Sequence, residues 1–254
     1  MSKEKTSKGK IVRNIILIIL AVIVLFSAVI VGWSLFVSRP AVQTVATYQQ
    51  NYSNAVINMK DDGSVEILPK SNTTNTGIIF YIGAQINPDA YIPFLSRLSE
   101  QGYSCFIPKI DFNMALIESK IADTIINEHP EISSWYMAGH SLGGLTAANF
   151  AADNPDKVDG VIMIAAYAGC DMSESKLPML SVYGEEDGVL NKEMYEKRKE
   201  WNPADFEEHI IAGANHAQYG DYGKQPRDND AEISAESQQK QTADIILKWL
   251  KEKQ

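Results

Sequence analysis

The stretch WYMAGHSLGGLTAANFAA, residues 135–152, decides the fold of this chain. Its first four residues are apolar and predict a short buried strand, and residues 142–152 read as a slim helix. Between them lies a G-x-S-x-G sequence, in which Ser141 is placed on a sharp strand-to-helix turn. Side chains two positions before and after the serine would collide across such a turn, so glycine fits at both places. The stretch therefore predicts an exposed, reactive hydroxyl group on Ser141.

Strands and helices alternate on either side of this turn. Short apolar segments predict further strands at 77–82, 103–107, 158–165, 179–183 and 207–211. Apolar residues at helical spacing predict helices at 91–98, 114–127, 194–201 and 243–250. Ahead of this series, residues 55–68 predict a hairpin through Asp62-Gly63. The alternation predicts a doubly wound, mostly parallel α/β sheet, because a (β/α)₈ barrel requires more strand–helix pairs.

A serine hydroxyl is a weak nucleophile unless a base takes its proton and a third group orients that base. On a turn of this kind, the acid and the histidine follow the serine in the chain. Two histidines do so. His209 lies within an apolar strand, which favours a structural or surface role. His216 follows that strand in a polar, glycine-containing loop, where the sites of α/β sheets assemble, so His216 is the candidate base.

Three carboxylates compete for the role of the acid in YGEEDG, residues 183–188. Asp187 lies furthest into the turn and precedes a glycine, so the loop can fix its short side chain. We take Asp187 as the candidate acid and Glu186 as the second candidate, and we interpret Glu185 as a solvated charge. A plain Asp-Gly turn is the alternative interpretation of Asp187.

Acyl chemistry also requires backbone N–H donors for the oxyanion of the tetrahedral intermediate. One donor is expected from Leu142, directly after the serine. The other is expected in the loop that follows the predicted strand at 77–82. We assign it to Ala84, with Gln85 as the neighbouring possibility.

The apolar run IILIILAVIVLFSAVIVGWSLFV, residues 15–37, contains no charge and no proline. A helix of this length spans the ~30 Å hydrocarbon core of a bilayer. Five basic residues and one acidic residue precede it, which predicts a cytoplasmic N-terminus and an extracytoplasmic domain. A cleaved signal peptide is the alternative, but its apolar region is about 7–15 residues long and ends at a small-residue cleavage site.

The predicted organisation has four parts. They are a basic tail at 1–14, a transmembrane anchor at 15–37, a stalk at 38–52 and one α/β domain at 53–254. The net charge is −9, and because the first 13 residues carry +4, the remainder carries −13. This acidity argues against nucleic acid and anionic lipid headgroups as partners.

The sequence predicts no metal site and no disulfide framework. The chain has four histidines and two cysteines, without the clustered spacing of a zinc site. Cys105 lies in an apolar strand-like run and is expected as a buried free thiol, with a disulfide to Cys170 as the alternative. Asp228 and Asp230 are interpreted as a solvated acidic loop rather than a calcium site.

Together these segments resemble the α/β-hydrolase superfamily and, more narrowly, bacterial membrane-anchored α/β hydrolases related to the dienelactone hydrolase type. The resemblance covers about residues 54–251 and rests on GAQINPDAY (83–91), GHSLGG (139–144), GEEDGV (184–189) and GANHAQYGDYG (213–223). It implies a hydrolase of carboxylic esters or related acyl bonds that needs no metal or organic cofactor. Dienelactone hydrolases proper use a cysteine nucleophile, so their substrate is not carried over to a chain with Ser141.

Only about a dozen residues connect the strand ending near 165 to the strand starting near 178. Many members of the superfamily insert a helical cap here, so the resemblance implies an open, shallow site without a large cap. Such a site favours a small ester, a lactone or an acylated surface polymer over typical lipase substrates. Four aromatic residues either line the acyl pocket or pack as ordinary core residues: Phe112, Tyr167, Tyr219 and Tyr222.

The function that these observations predict is a membrane-tethered, extracytoplasmic serine hydrolase acting through an acyl-enzyme. Two alternatives use the same scaffold. The first is acyl transfer to a cell-surface acceptor, which requires the same three side chains. The second is a non-catalytic binding module, which is disfavoured because all three candidate positions are filled.

Overall fold

The structure, a computed structural model, describes residues 2–37, 39–110 and 121–253. The chain divides into two compact units, Met1–Ser38 and Arg39–Gln254. The first contains a single helix, α1 (Ser2–Val37). Among the described residues, its window Val12–Val29 is the one helical stretch long and apolar enough to cross a membrane, with a mean hydropathy of 2.7. Length and composition alone support that assignment, and a signal sequence has the same properties.

The second unit contains eight strands and six helices among the described residues. The strands are β1 (Ala55–Met59), β2 (Val65–Pro69), β3 (Thr76–Tyr81), β4 (Ser104–Ile107), β5 (Ser134–His140), β6 (Gly160–Ile164), β7 (Met179–Gly184) and β8 (Phe206–Ile211). The helices are α2 (Val45–Asn51), α3 (Ile92–Ser99), α4 (Ile121–Glu128), α5 (Leu142–Asp153), α6 (Lys192–Lys197) and α7 (Ala235–Lys253).

The eight strands form one sheet in the order β1-β2-β4-β3-β5-β6-β7-β8. The hairpin β1–β2 is antiparallel, and β2 is antiparallel to β4, whereas all other neighbours are parallel. Every residue of β3, β6 and β7 is buried, which is the pattern of a parallel sheet covered on both faces. The predicted doubly wound, mostly parallel α/β sheet is confirmed.

The segment predicted as a stalk, residues 38–52, differs from that expectation. Arg39 forms a β-bridge with Ile86, and the ring of Tyr48 within α2 is 1% exposed. Helix α2 has seven residues, too few to show a period in the sequence, and it is stabilised by the burial of Tyr48 within it and of Tyr52 directly after it. From Arg39 onward, the segment is therefore part of the folded domain.

Several boundaries also differ from the sequence-based ones. The helix predicted at 194–201 is a shorter α6 followed by a 3₁₀ turn at 199–201, and α7 begins eight residues before the predicted start at 243. Helix α4 matches the end of the helix predicted at 114–127, and residues 114–120 lie outside the described residues. The connection between β6 and β7 contains only turns and bends, so there is no cap at this place. Cys105 is a buried free thiol, as expected.

Candidate active site

The turn between β5 and α5 holds Ser141 in an unusual backbone conformation. Its φ is 53° and its ψ is −119°, outside the regions that a residue with a Cβ atom normally adopts. Such a conformation costs of the order of 1–3 kcal/mol and persists only where the surroundings determine it. Here the Ser141 N–H donates to the Ile164 carbonyl, 2.8 Å away on the neighbouring strand. The serine is thus fixed at the end of β5, and its side chain is partly exposed.

Both glycines of the G-x-S-x-G sequence are required by close backbone approach. A Cβ on Gly139 would overlap the Gly143 carbonyl group, across the turn. A Cβ on Gly143 would overlap the Tyr81 carbonyl oxygen and would lie 2.6 Å from that of Ile82. Glycine is therefore required at both positions, because any side chain there would overlap backbone atoms.

Asp187 and His216 meet at the carboxyl ends of two adjacent parallel strands. Asp187 follows β7, and His216 follows β8. The His216 Nδ1 atom lies 2.8 Å from Asp187 Oδ2, and these side chains are 1% and 0% exposed. The other Asp187 oxygen, Oδ1, accepts the N–H groups of Val189 and Leu190 at 2.9 and 2.7 Å. Three hydrogen bonds thus hold the carboxylate in a single orientation.

The Nε2 atom of His216 is buried and has no hydrogen-bond partner among the described residues. An imidazole with Nδ1–H on a carboxylate and an unoccupied Nε2 is suited to accept a proton. The ring centroid of His140, the residue before Ser141, lies 4.5 Å from that of His216. The structure shows no hydrogen bond between Ser141 and His216, a contact that often tightens only when substrate binds.

The other sequence candidates lie elsewhere. Glu186 makes no side-chain hydrogen bond to His216, and its N–H donates to the Ala214 carbonyl at 2.8 Å. Glu185 Oε2 accepts the Gly213 N–H at 3.3 Å. His209 is partly exposed and pairs with Glu207 at 2.6 Å. Of the carboxylates in the turn, Asp187 is the one that contacts His216.

Two candidate oxyanion donors have no acceptor among the described residues. Leu142 is the first residue of α5, and the first N–H groups of a helix have no partner within it. Ala84 is exposed, and its N–H is also unpaired within the described chain. Gln85 has φ of 62°, and its carbonyl accepts the Arg39 N–H at 2.8 Å, so residue 39 holds the loop that carries Ala84. The Gln85 N–H likewise has no acceptor in the described part, so Gln85 remains the neighbouring possibility.

A family profile described as "Alpha/beta hydrolase family" matches residues 77–240 of the chain. The match runs from β3 into α7 and includes the turn at Ser141 and the Asp187–His216 pair. The chain belongs to this family. No functionally curated protein matches the sequence of this α/β hydrolase.

Solved structures share the fold at low sequence identity. A protein described as a hydrolase from Thermoplasma acidophilum has 16% identity and a TM-score of 0.57, with coverage of 76% of this chain and 98% of that one. One described as a lipase from Acinetobacter baumannii has 13% identity and a TM-score of 0.57, covering 80% and 95%. Monoglyceride lipase from Saccharomyces cerevisiae has 11% identity and a TM-score of 0.56, covering 78% and 94%. At these identities the likeness establishes the α/β-hydrolase fold alone.

Gly143→Ala is expected to destabilise this α/β hydrolase, because the added methyl group meets backbone atoms that cannot rotate away. Overpacking of this kind costs about 3 kcal/mol. In a domain of this size that loss lowers Tm by about 6–12 °C, measurable by thermal unfolding. Gly32→Ala adds the same methyl group where, outside the backbone of its own helix, no described atom lies within 4 Å, and it is the control. A Gly143→Ala chain with the Tm of the control contradicts the steric argument.

A buried hydrogen-bond network beneath the site escaped the sequence analysis. The Tyr91 hydroxyl accepts the Gly83 N–H at 3.0 Å and lies 2.8 Å from His140 Nδ1. Since its oxygen accepts from Gly83, the Tyr91 O–H can donate to His140 Nδ1, which leaves the proton of a neutral imidazole on Nε2. Burial, followed by the neighbouring His216, holds the pKa of His140 well below its usual value. The network joins the turn at Ser141 to the loop that carries Ala84.

Tyr91→Phe removes the hydroxyl at the centre of this network. The Gly83 N–H then loses its buried acceptor, which is expected to lower the free energy of unfolding by about 1–3 kcal/mol. Because the loop with Ala84 loses its support, kcat for hydrolysis is expected to fall about tenfold with little change in KM. Tyr52→Phe is the control, since the Tyr52 hydroxyl has no hydrogen-bond partner among the described residues. Equal kinetics for both variants would show that the network does not support the site.

The neutral state of His140 predicts a loss of stability in mild acid. Because the pKa of His140 is lowered in the folded state, the imidazole binds a proton only when the chain unfolds. Its contribution to the free energy of unfolding is therefore complete above the unfolded pKa of about 6.5. As the pH falls below that value, stability declines by up to about 1.4 kcal/mol per pH unit. We expect His140→Gln to show a smaller decline in Tm between about pH 6.5 and 5 than the control His209→Gln. If Tm depends on pH in the same way in both variants, His140 is not held neutral in the folded state.

The aromatic residues near the site pack beneath it. Tyr219 is fully buried with its ring centroid 5.6 Å from that of His140, and Tyr222 packs 6.4 Å from Tyr91. Tyr167 is partly buried, and the Arg198 guanidinium lies 5.0 Å from its ring centroid. Tyr219 and Tyr222 therefore support the network. Phe112 lies outside the described residues.

The two aspartates of the acidic loop have protein partners. Asp230 pairs with Lys224 at 2.5 Å on the surface. Both oxygens of Asp228 accept backbone N–H groups. Among the described residues there is no group of three His, Cys, Asp or Glu side chains placed to hold a metal ion.

Proposed function

We propose that this α/β hydrolase is a serine hydrolase that cleaves carboxylic esters or related acyl bonds. The observation that carries the proposal is the buried Asp187–His216 pair, with His216 Nε2 unoccupied and the His216 ring centroid 4.5 Å from that of His140, the residue before the strained Ser141. A strained serine, a base and a group that orients the base are the parts that nucleophilic acyl chemistry requires. Family membership supports hydrolase chemistry in general terms.

In the proposed reaction, Ser141 Oγ attacks the acyl carbon while His216 Nε2 takes the hydroxyl proton. The Asp187 carboxylate stabilises the imidazolium, and the N–H groups of Leu142 and Ala84 bind the oxyanion. When the tetrahedral intermediate collapses, His216 gives its proton to the leaving alcohol and an acyl-serine forms. Water then attacks the acyl carbon, with His216 as the base. The carboxylic acid leaves and Ser141 is restored.

The substrate class follows from access to the site. The connection between β6 and β7 has no cap, so nothing at that place covers Ser141. A site that the β6–β7 connection leaves open favours a small ester, a lactone or an acyl group on a surface polymer. The lipase names of two structural neighbours carry no weight for the substrate, because those proteins are only 13% and 11% identical to this chain.

We propose that α1 anchors the domain, with the N-terminus in the cytoplasm and the domain outside. The apolar window Val12–Val29, whose single charge is Arg13 at its N-terminal end, and the basic residues before it support this orientation. Protease added to intact cells is expected to digest the α/β domain and spare the N-terminal tail. Digestion of the domain only after lysis contradicts the orientation, and a mature chain that lacks residues 1–37 indicates a signal peptide.

The activity is tested with the full chain in detergent micelles, on a panel of short p-nitrophenyl esters, lactones and acylated sugars. Turnover by the wild type, with release of the free carboxylic acid, is the expected result, and the Ser141→Ala chain is the matched control. If the acyl group instead passes to an added sugar or peptide, the protein is an acyltransferase. A folded wild type with no turnover above the Ser141→Ala chain contradicts the proposal and favours a binding module.

A further inference from the structure

The carboxylate of Asp228 accepts three backbone N–H groups from the two loops that carry Asp187 and His216. Its Oδ1 atom accepts the N–H of Gly188 at 3.1 Å and the N–H of His216 at 3.2 Å. Its Oδ2 atom accepts the N–H of Ala217 at 2.8 Å. Gly188 is the residue directly after the candidate acid. One side chain therefore joins the backbone of the acid loop to the backbone of the base itself.

The segment around Asp228 is fitted closely against the acid loop. A Cβ on Gly188 would lie 2.6 Å from the Arg227 carbonyl oxygen and 2.9 Å from the Asn229 nitrogen. Arg227 has φ of 73°, a conformation that a residue with a Cβ rarely adopts, so the chain is strained where it presents Asp228. The Asn229 carbonyl in turn accepts the side-chain N–H of Asn215 at 2.8 Å. Both loops thus contact residues 227–229.

The other side of the base loop is fixed independently by α7. The Gln238 side chain is fully buried, accepts the Asn215 N–H at 3.1 Å and donates to the Asn215 carbonyl at 2.7 Å. Gln238 does not contact the acid loop through any described hydrogen bond. The two loops are also joined by the Glu186 N–H, which donates to the Ala214 carbonyl at 2.8 Å, and by the Gly213 N–H, which donates to Glu185 Oε2 at 3.3 Å. Among these contacts, Asp228 is the side chain that binds the backbone of His216 itself and of the residue directly after Asp187.

From this geometry we infer that Asp228 is a positioning residue, which sets the distance and orientation between Asp187 and His216. The inference rests on the proposed function in one respect, that this pair serves an acyl transfer step. Asp228 does not touch the reacting atoms. It acts through the backbone of Gly188, next to Asp187, and through the backbone of His216 and Ala217. A shift of about 1 Å in such a pair lowers a rate by about 100-fold.

The test compares Asp228→Ala and Asp228→Asn with Asp230→Ala in the full chain. Asp230 lies two residues away in the same segment, and its side chain pairs only with the exposed Lys224 among the described residues. We expect Asp228→Ala to lower kcat about 100-fold with KM changed less than about twofold. Asp228→Asn keeps one oxygen as an acceptor, so its kcat is expected between those of Asp228→Ala and wild type. Asp230→Ala is expected to match wild type.

A second readout does not depend on ester turnover. The proton between His216 Nδ1 and the Asp187 carboxylate gives a far-downfield ¹H NMR signal, which His216→Ala identifies. We expect this signal to shift or broaden in Asp228→Ala at temperatures well below its Tm, and to remain unchanged in Asp230→Ala. A role in stability alone would lower Tm and leave the signal and the kcat of the folded protein unchanged.

The outcomes separate the inference from the proposed function. If the wild type turns over esters and Asp228→Ala keeps more than half of its kcat, the positioning role is wrong and the proposed function stands. An equal loss of kcat in Asp230→Ala also overturns it. If the wild type turns over no ester, the proposed function fails, and the NMR signal alone decides whether Asp228 positions the pair.

Discussion

Ser141→Ala is expected to lower kcat for an ester substrate by about 10⁶-fold, the loss found when the serine of a comparable triad is removed. The fold is expected to persist, because the Ser141 side chain makes no hydrogen bond to any described residue. The backbone contacts of the turn involve main-chain atoms and remain in the variant. Residual turnover, about 10³–10⁴-fold above the uncatalysed rate, is expected from binding and the oxyanion donors.

The measurement is the steady-state rate of acid release together with Tm. Ser173→Ala, at an exposed serine in the connection between β6 and β7, is the control and is expected to keep wild-type kinetics. If Ser141→Ala folds normally and keeps more than about one tenth of the wild-type kcat, its role as the nucleophile is wrong, since a triad serine contributes orders of magnitude more.

Asp187→Asn is expected to lower kcat by about 10⁴-fold while the fold is retained. The reason lies in the hydrogen bonds around this carboxylate. Oδ1 accepts two N–H groups, from Val189 and Leu190, so the amide oxygen of an asparagine must occupy that position. The amide NH₂ group then faces His216 Nδ1, which has to become an acceptor. The imidazole proton moves to Nε2, the atom that should accept the serine proton.

Glu186→Gln is the matched control, since Glu186 is the neighbouring carboxylate and the second candidate from the sequence. Its side chain makes no hydrogen bond to His216, so its kcat is expected to stay within about twofold of wild type, as for a surface substitution. Comparing kcat and Tm for the two variants decides between the carboxylates. If Glu186→Gln loses the activity and Asp187→Asn keeps it, the acid is assigned to the wrong residue.

The fold and the turn at Ser141 could be predicted because they depend on local rules. The alternation of strands and helices restricts the chain to a mostly parallel sheet. At positions 139 and 143 any side chain would overlap backbone atoms, so the sequence has glycine at both. The loops of Asp187 and His216 follow adjacent parallel strands, so the proximity of these two side chains could also be predicted from the sequence. The roles of these side chains remain a proposal that the variants above test.

The supporting contacts could not be predicted, because they join residues that are far apart in the chain. Tyr91 has the spacing of an ordinary apolar helix position, and its hydroxyl meets His140, 49 residues later. Asp228 lies in an acidic loop whose sequence is typical of solvated surface, yet its carboxylate binds the N–H groups of Gly188, directly after Asp187, and of His216 itself. Tyr48 lies in a segment too short to show a period, and its hydroxyl donates to Asp221 at 2.5 Å. Tertiary packing alone defines these partners.

The central claim, that Ser141 is the activated nucleophile of a serine hydrolase, is tested most directly by covalent labelling. The folded full chain is treated with a fluorophosphonate, digested and mapped by peptide mass spectrometry, with Asp187→Asn and Ser141→Ala as controls. The account predicts one adduct, on Ser141, which forms much more slowly in Asp187→Asn and not at all in Ser141→Ala. A folded wild type that takes up no label, or takes it up at another residue, would contradict the account.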